Sequence, residues 1–419
     1  MKVVVVARSV FPLHGYGGLE RHVYDLARAL AERDLQVTLV TRPPTDDRPW
    51  DPSLIHPAIQ AEFVPYHTFP LAGRRGTTVL DRSTAYPIFG LRAGRRALDL
   101  VTSGADIVHG LGASVLGYAR LRGYAASGSR PGVASAPLVF NPQGLEEFGA
   151  TDPSRAKLKR AAYLPLRRAV LACAAAADAV IATDKALEPV VLGHLKIPRR
   201  KMHTIPNALD LRTLDALSNP ATIGELRWKH DLALGERILL SVGRLEANKG
   251  FHVLLRALAA VRDHGGLEGS SWRWVLLGDG PYRRTLEMLA SELGLDDRVR
   301  LLGRVDDEEL HAWHELSTLF VHPTLYEGSS LVTLEAMAHR RAVVASAAGG
   351  IPDKVRPGEN GWLVAPGDPS ALAAAISGAL SDPARLARFG AAGREIVERE
   401  FSWTVIGDRT VALYRDLLG

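Results

Sequence analysis

The sequence predicts an α/β protein built from two doubly wound parallel sheets, each covered by helices. Three observations predict it. Short apolar, β-branched runs alternate with longer amphipathic stretches along nearly all of the 419 residues, which is how strands buried on both faces between helices read. At roughly 150 residues per domain, the length asks for two or three domains. Between two series of such runs lies Asn207–Arg237, polar and weakly patterned, with Pro220 and Gly224 inside it; we read it as the crossing between domains.

In the first series the strand candidates are Val3–Val6, Val37–Val40, Ile107–Val108, Leu138–Phe140, Ala179–Ile181 and His203–Ile205. In the second they are Ile238–Val242, Trp274–Leu277, Val299–Leu301, Leu319–Val321, Ala342–Ala345 and Trp362–Val364. The stretch from Thr45 to Arg82, rich in Pro, Gly and Arg and without clear period, reads as loop or lid. Ligands of doubly wound sheets bind outside the carboxyl ends of the strands, and two such sheets facing each other would make a cleft.

With 47% hydrophobic and 23% charged residues, the chain is neither disordered nor fibrous. Its single cysteine, Cys173, excludes an internal disulfide and a multi-cysteine metal cluster and fits a reducing compartment. Within its Ala-rich run it reads as a buried, inert thiol. Only five apolar residues separate Lys2 from Arg8, too few for a signal-peptide core, and no apolar run approaches the ~20 residues of a membrane span. The cytoplasm is the default location. The net charge of +5 hides an asymmetry, +9 over residues 1–210 and −4 over residues 211–419, so an acidic partner would sit on the first half.

The first motif is Gly15-Tyr16-Gly17-Gly18, after the first strand and before a helical apolar spacing at Leu19, Val23, Leu26, Ala27 and Leu30. Glycines opening a helix let backbone N–H groups approach an anion at its positive end. The order and spacing of a dinucleotide fingerprint are absent, which disfavours a nicotinamide cofactor. Alone, the cluster fits a plain turn equally well.

In the second half, strand Ile238–Val242 runs into Gly243-Arg244-Leu245-Glu246-Ala247-Asn248-Lys249-Gly250. Two cations five residues apart in a glycine-flanked loop at a strand's carboxyl end suit a diphosphate; solvated surface cations are the alternative. Most informative is Glu327-Gly328-Ser329-Ser330-Leu331-Val332-Thr333-Leu334-Glu335-Ala336-Met337-Ala338. Ser329 or Ser330 can cap a helix whose first N–H groups would face phosphate. Glu335, one turn in, can accept paired hydrogen bonds from vicinal hydroxyls such as those of a ribose, and Glu327 can do the same for a sugar ring. Both glutamates could also be dipole-compensating surface residues.

Together these residues resemble the retaining nucleotide-sugar glycosyltransferases of the GT-B fold, the large family four. Gly17-Gly18 looks like its N-terminal glycine pair, and Ile205-Pro206-Asn207-Ala208-Leu209-Asp210 resembles its "IPNGVD" crossing, with alanine for glycine. Gly243-Arg244-Leu245 with Lys249-Gly250 resembles "GRL…KG", Leu277-Gly278-Asp279-Gly280-Pro281 resembles "xGDGP", Glu327 to Glu335 keeps the E-x7-E spacing, and Gly349-Gly350-Ile351-Pro352-Asp353 resembles "GGIPE". The resemblance implies two Rossmann-like domains: an acceptor-binding one over residues 1–208, onto which residues 402–419 cross back, and a donor-binding one over residues 209–401.

It also implies roles. Arg244 and Lys249 would hold the donor diphosphate, and Glu335 the ribose. Glu327, with the backbone N–H groups from Ser329 through Ser330 to Leu331, would hold the transferred sugar and phosphate. Gly243 would also bind the donor, Arg304 and Val305 would contact the base mainly through backbone, and Gly17 and Gly18 would close the phosphate site from the other domain. Asp279 reads as a turn or cap residue. Where the family often has a histidine near the reacting sugar, this chain reads Asn141-Pro142-Gln143-Gly144. Gln143 cannot titrate, so such a role would be lost or moved, with His109, at the end of another strand, as the candidate and a structural histidine as the alternative. Arg340 and Ala342 replace the usual glycine and proline after the motif helix, and Ser329-Ser330 a common Phe-Gly, which bears on donor-sugar choice.

The implied reaction moves a hexose from a UDP- or GDP-sugar to an acceptor hydroxyl with retention, the leaving phosphate taking the acceptor's proton. Arg244, Lys249 and a helix end meet the developing charge, so neither metal nor cofactor is expected, and no Asp-x-Asp cluster appears in a plausible site. The acceptor would be a sugar, a lipid-linked molecule or another small molecule. A nucleotide-sugar epimerase or phosphorylase on the same scaffold, and a non-catalytic sugar-nucleotide or membrane-binding protein, are the alternatives. Segment 155–168 holds six cations and no acid, and could dock on anionic lipid at the inner membrane face or on an acidic acceptor, though Pro165 would interrupt its helix. It lacks the interleaved aromatics of a nucleic-acid surface.

Overall fold

The computed structural model describes residues 1–15, 17–44, 50–67, 77–126, 135–143, 145, 148, 162–263 and 271–419. The chain divides into two compact units, one of Met1–Asn207 with Trp403–Gly419, the other of Ala208–Ser402.

The first unit contains β1 (Lys2–Val6), α1 (Gly18–Ala31), β2 (Gln36–Thr41), β3 (Ile59–Phe63), α2 (Thr77–Thr102), β4 (Ile107–Leu111), α3 (Leu116–Ala126), β5 (Leu138–Asn141), α4 (Leu164–Ala176), β6 (Ala179–Ala182), α5 (Glu188–Leu195) and β7 (Met202–Thr204). The strands form one parallel sheet in the order β3-β2-β1-β4-β5-β6-β7. Val4 lies opposite Thr38 on one side and Val108 on the other. Val3 to Val6 are almost completely buried because helices cover both faces, and this is why the run carries no polar alternation.

The second unit contains α6 (Leu211–Ala216), α7 (Pro220–Lys229), β8 (Arg237–Val242), α8 (Phe251–Asp263), β9 (Trp272–Leu277), α9 (Arg283–Glu292), β10 (Val299–Gly303), α10 (Asp307–Leu316), β11 (Leu319–His322), α11 (Leu331–Ala338), β12 (Val343–Ser346), β13 (Gly361–Val364), α12 (Pro369–Leu380) and α13 (Pro383–Glu400); α14 (Trp403–Leu418) returns to the first unit. Its sheet runs β10-β9-β8-β11-β12-β13, all parallel. The strand order reverses between β8 and β11, the switch point at which such sheets bind ligands.

Two expectations are corrected. Part of the supposed loop between Thr45 and Arg82 is ordered: β3 pairs with β2 as an edge strand, Ile59 opposite Val37, and α2 begins at Thr77. An edge strand buries little, and only Ile59 of β3 is buried, so no apolar run announces it. The crossing after Asn207 is helical, with α6 and α7 capped by the side chains of Asp210 and Asn219. Each buries one leucine, Leu214 or Leu226, which makes the apolar stripe too thin to register. Pro165 lies in the first turn of α4, where its missing N–H costs nothing; Ala162 is helical and Tyr163 a turn, so the helical run is broken just before Pro165, and residues 155–161 lie outside the described residues. Cys173 is buried, and burial raises its thiol pKa, as an inert thiol requires.

Candidate functional site

At the carboxyl edge of the second sheet, the loops after β8 and β11 are laced together. The Asn248 carbonyl accepts hydrogen bonds from the Leu325 N–H at 2.8 Å and the Thr324 hydroxyl at 3.1 Å. Gly250 has φ of +69°, and a Cβ there would lie 2.0 Å from the Pro323 carbonyl oxygen, so only glycine allows the two loops to approach so closely. This lacing delivers Lys249 to Glu327. Lys249 Nζ lies 2.8 Å from Glu327 Oε2, His322 Nε2 donates to the same oxygen at 2.9 Å, and the Gly328 N–H reaches Oε1 at 3.2 Å.

Burial of Glu327 works against its charge, but the His322 hydrogen bond and the Lys249 ammonium outweigh it and hold the carboxyl well below the ordinary range. His322, at the end of β11 and fully buried, was not singled out from the sequence. The available signal was a histidine closing an apolar strand five residues before the motif glutamate.

Immediately beyond lies the start of α11. Ser330 occupies the N-cap position, yet its side chain makes no cap; its hydroxyl bonds Thr333 Oγ1 at 2.8 Å instead. The first-turn N–H groups, including that of Leu331, therefore remain donors at the positive end of the helix. Glu335 is half-buried on the second turn.

Two loops wall this helix start. Gly349 has φ of +54° and a Cβ on it would meet the Glu327 carbonyl oxygen at 1.9 Å, while the Gly350 N–H donates to the Gly328 carbonyl at 2.9 Å. Buried Lys354 reaches Ser329 Oγ at 3.3 Å and the Gly350 carbonyl at 3.2 Å.

The other sequence candidates fall as follows. Arg244 is largely exposed and pairs with Glu246 at 2.8 Å; it is not brought onto Glu327. Gly243 bonds the Leu277 carbonyl through its N–H at 3.0 Å. Asp279 accepts from the Gly280 N–H at 2.8 Å, a turn contact. Arg304, exposed, and Val305, half-buried, follow β10 at the same sheet edge. In the first unit, Gly17 is the N-cap of α1 and Gly18 its first residue. Gln143 follows β5 with φ of +64°, its N–H bonded to Asn141 Oδ1 at 3.0 Å.

His109 requires a correction: it is the middle residue of β4, opposite Val5 and Val139, not a strand end. It is buried, with Nδ1 2.6 Å from the Tyr414 hydroxyl of α14. Burial, with His22 nearby, pushes its pKa down to about 3. This places it in the packing of α14 onto the first sheet.

Two family models match the chain, "Glycosyltransferase Family 4" over residues 16–213 and "Glycosyl transferases group 1" over residues 222–396. A D-inositol 3-phosphate glycosyltransferase of Catenulispora acidiphila is 30% identical over 96% of this chain and 91% of its own length. A GDP-mannose-dependent phosphatidylinositol monomannoside mannosyltransferase of Mycolicibacterium smegmatis is 33% identical over 45% of this chain and 50% of its own. Among solved structures, sucrose-phosphate synthase of Thermosynechococcus elongatus superposes with a TM-score of 0.75 at 25% identity, covering 99% of this chain and 98% of that one. With two Rossmann-like units and the sheet-edge site between β8 and α11, the chain belongs to the group 1, family 4 glycosyltransferases of the GT-B fold, enzymes that transfer sugars from nucleotide donors.

Proposed function

We infer that the second unit binds the donor, a hexose linked to UDP or GDP, at the carboxyl edge of its sheet, and that the first unit binds the acceptor. The carrying observation is the Lys249–Glu327–His322 cluster beside the uncapped start of α11: a cation and free backbone donors converge where a diphosphate's charge would develop.

In this reading Lys249, the first-turn N–H groups of α11 and the exposed guanidinium of Arg244 stabilise the leaving diphosphate. Glu335 holds the ribose hydroxyls. Glu327, oriented by His322, meets the transferred sugar, and the backbone around Arg304 and Val305 meets the base. Gly17 and Gly18 at the start of α1, and Gln143 after β5, are the first unit's candidates for binding phosphate and reacting sugar. The acceptor hydroxyl attacks the anomeric carbon on the face the diphosphate leaves, the C–O bond to phosphate breaks, and the acceptor's proton passes to a phosphate oxygen, so the configuration is retained. No metal is needed, because fixed protein donors supply the counter-charge.

Among the described residues, no helix is long and apolar enough to cross a membrane. Peripheral contact with anionic lipid through segment 155–168 belongs to this reading as an acceptor-side feature. Sedimentation with phosphatidylglycerol vesicles, lost at high salt, tests it.

Two experiments test the main reading. A thermal-shift series with UDP and GDP identifies the base, since a ligand of the native state raises its stability. Incubation with labelled UDP-glucose, UDP-N-acetylglucosamine and GDP-mannose over an acceptor panel should give transfer or slow hydrolysis. Isomerised donor, phosphate-dependent cleavage or binding without turnover would overturn it.

A further inference from the structure

Lys354 is fully buried. Burying an ammonium is costly unless its hydrogen bonds are provided, and two of its bonds run to the walls of the candidate site: Ser329 Oγ at 3.3 Å and the Gly350 carbonyl oxygen at 3.2 Å. Its Nζ also lies 5.8 Å from the centre of the Phe401 ring, a cation–π distance. The backbone around it is anchored. The Lys354 N–H donates to the Ile351 carbonyl at 2.9 Å, and its own carbonyl accepts from buried Asn360 Nδ2 at 2.9 Å. The ammonium is thus held at a set place behind the loop that precedes α11.

An ammonium has N–H donors and no acceptor. In the Lys354–Ser329 bond the serine oxygen must therefore accept, and its own proton cannot lie along that line. The Ser329 hydroxyl is left as a donor polarised by a cation, and charge-assisted bonds of this kind are about twice as strong as neutral ones. Ser329 directly precedes the N-cap residue of α11 and is half-buried.

The geometry points to Lys354 as a positioning residue that acts through Ser329, passing a buried positive charge to the terminal phosphate of the donor diphosphate. This rests on the reading that the diphosphate sits at the start of α11. It adds a second cation, behind the protein wall, to Lys249 in front of it, and gives Ser329, which stands at the phenylalanine position of the Phe-Gly pair common in the family, a role in donor affinity.

The test compares UDP with UMP, and GDP with GMP, in the whole enzyme by calorimetry, for wild type, K354M, S329A and the double variant. Whichever diphosphate binds wild type should bind each variant about 10- to 100-fold more weakly, with its monophosphate changed less than about twofold. The double variant should be no weaker than either single one, because the two residues act as a unit. KM for the donor should rise by a similar factor. Equal losses for diphosphate and monophosphate, or additive losses in the double variant, would overturn the inference and leave Lys354 a cross-link of two loops. Should K354M not fold, S329A alone decides: an unchanged ratio of diphosphate to monophosphate affinity overturns it. Lys249→Ala separates the two claims. If it loses diphosphate affinity while K354M and S329A keep the ratio, only this inference fails; if wild type prefers neither diphosphate, both fall together.

Discussion

Lys249 and Glu327 are 78 residues apart in the chain, yet Nζ and Oε2 are 2.8 Å apart in the folded protein. Their meeting depends on the close approach of Gly250 to Pro323, so the pair reports directly on how the loops after β8 and β11 are locked. Replacing Lys249 by Ala should lower kcat/KM by about 10²–10³-fold, the cost of losing one preorganised donor to developing charge. The fold should be kept, because Glu327 retains His322 and the Gly328 N–H. Steady-state kinetics with circular dichroism checks this; full activity would remove the phosphate assignment.

His322→Phe keeps an aromatic ring, slightly larger than imidazole, but leaves Glu327 without one of its three donors. Its pKa should rise from its depressed value, and the acid limb of the kcat/KM profile should move to higher pH, with activity at neutral pH about 10-fold lower. An unmoved acid limb would show that His322 only fills space.

Gly250→Ala should be destabilising by about 1–3 kcal/mol, since it combines positive φ with a clash against a backbone oxygen that cannot swing away. Activity should fall further than stability, because the displaced loop carries Lys249. Urea denaturation beside activity at matched folded fraction measures both.

The end of α11 offers the opposite case. The Arg340 N–H bonds the Met337 carbonyl and the Arg341 N–H the Ala336 carbonyl, a Schellman closure whose left-handed residue is Arg340 at φ of +55° rather than glycine. Arg340→Gly should therefore stabilise the protein by up to about 1 kcal/mol, visible as a rise in Tm.

Buried His22 and His109 have pKa values lowered to about 4 and about 3 by desolvation, against about 6.5 in an unfolded chain. Between those limits the unfolded state binds the extra proton, so stability falls as pH drops below about 6.5, by about 1.4 kcal/mol per pH unit for each histidine. His22→Leu should flatten the dependence between pH 4 and 6.5 by one such slope, measured by denaturant titration at several pH values.

The four inner strands of the second sheet could be read from sequence because a doubly covered parallel strand is largely apolar, as in Val343–Ser346, where every residue is buried. Its edge strands β10 and β13, each with one buried residue, could be read because Val299–Leu301 and Trp362–Val364 still carry short apolar runs, which Ile59-Gln60-Ala61-Glu62-Phe63 of β3 does not. Edge strand β3, with one buried residue of five, carried no such mark, and neither did the thin stripes of α6 and α7. Glu327, Lys249 and the helix at Leu331 were found by residue type and spacing. His322, Lys354 and the Tyr414 partner of His109 were not, because nothing local distinguishes a buried polar side chain with a distant partner from an exposed one.

Local physics along the chain thus determined the alternation of strands and helices, the two-unit organisation and the glycine-flanked loops at the strand ends, since periodicity and backbone freedom are properties of neighbouring residues. Only the tertiary structure decided that one carboxylate gathers Lys249 and His322 and that Lys354 is buried behind Ser329. Those contacts depend on the positions of separate loops on a common sheet edge, and such positions are set by packing across the whole unit rather than by any single segment.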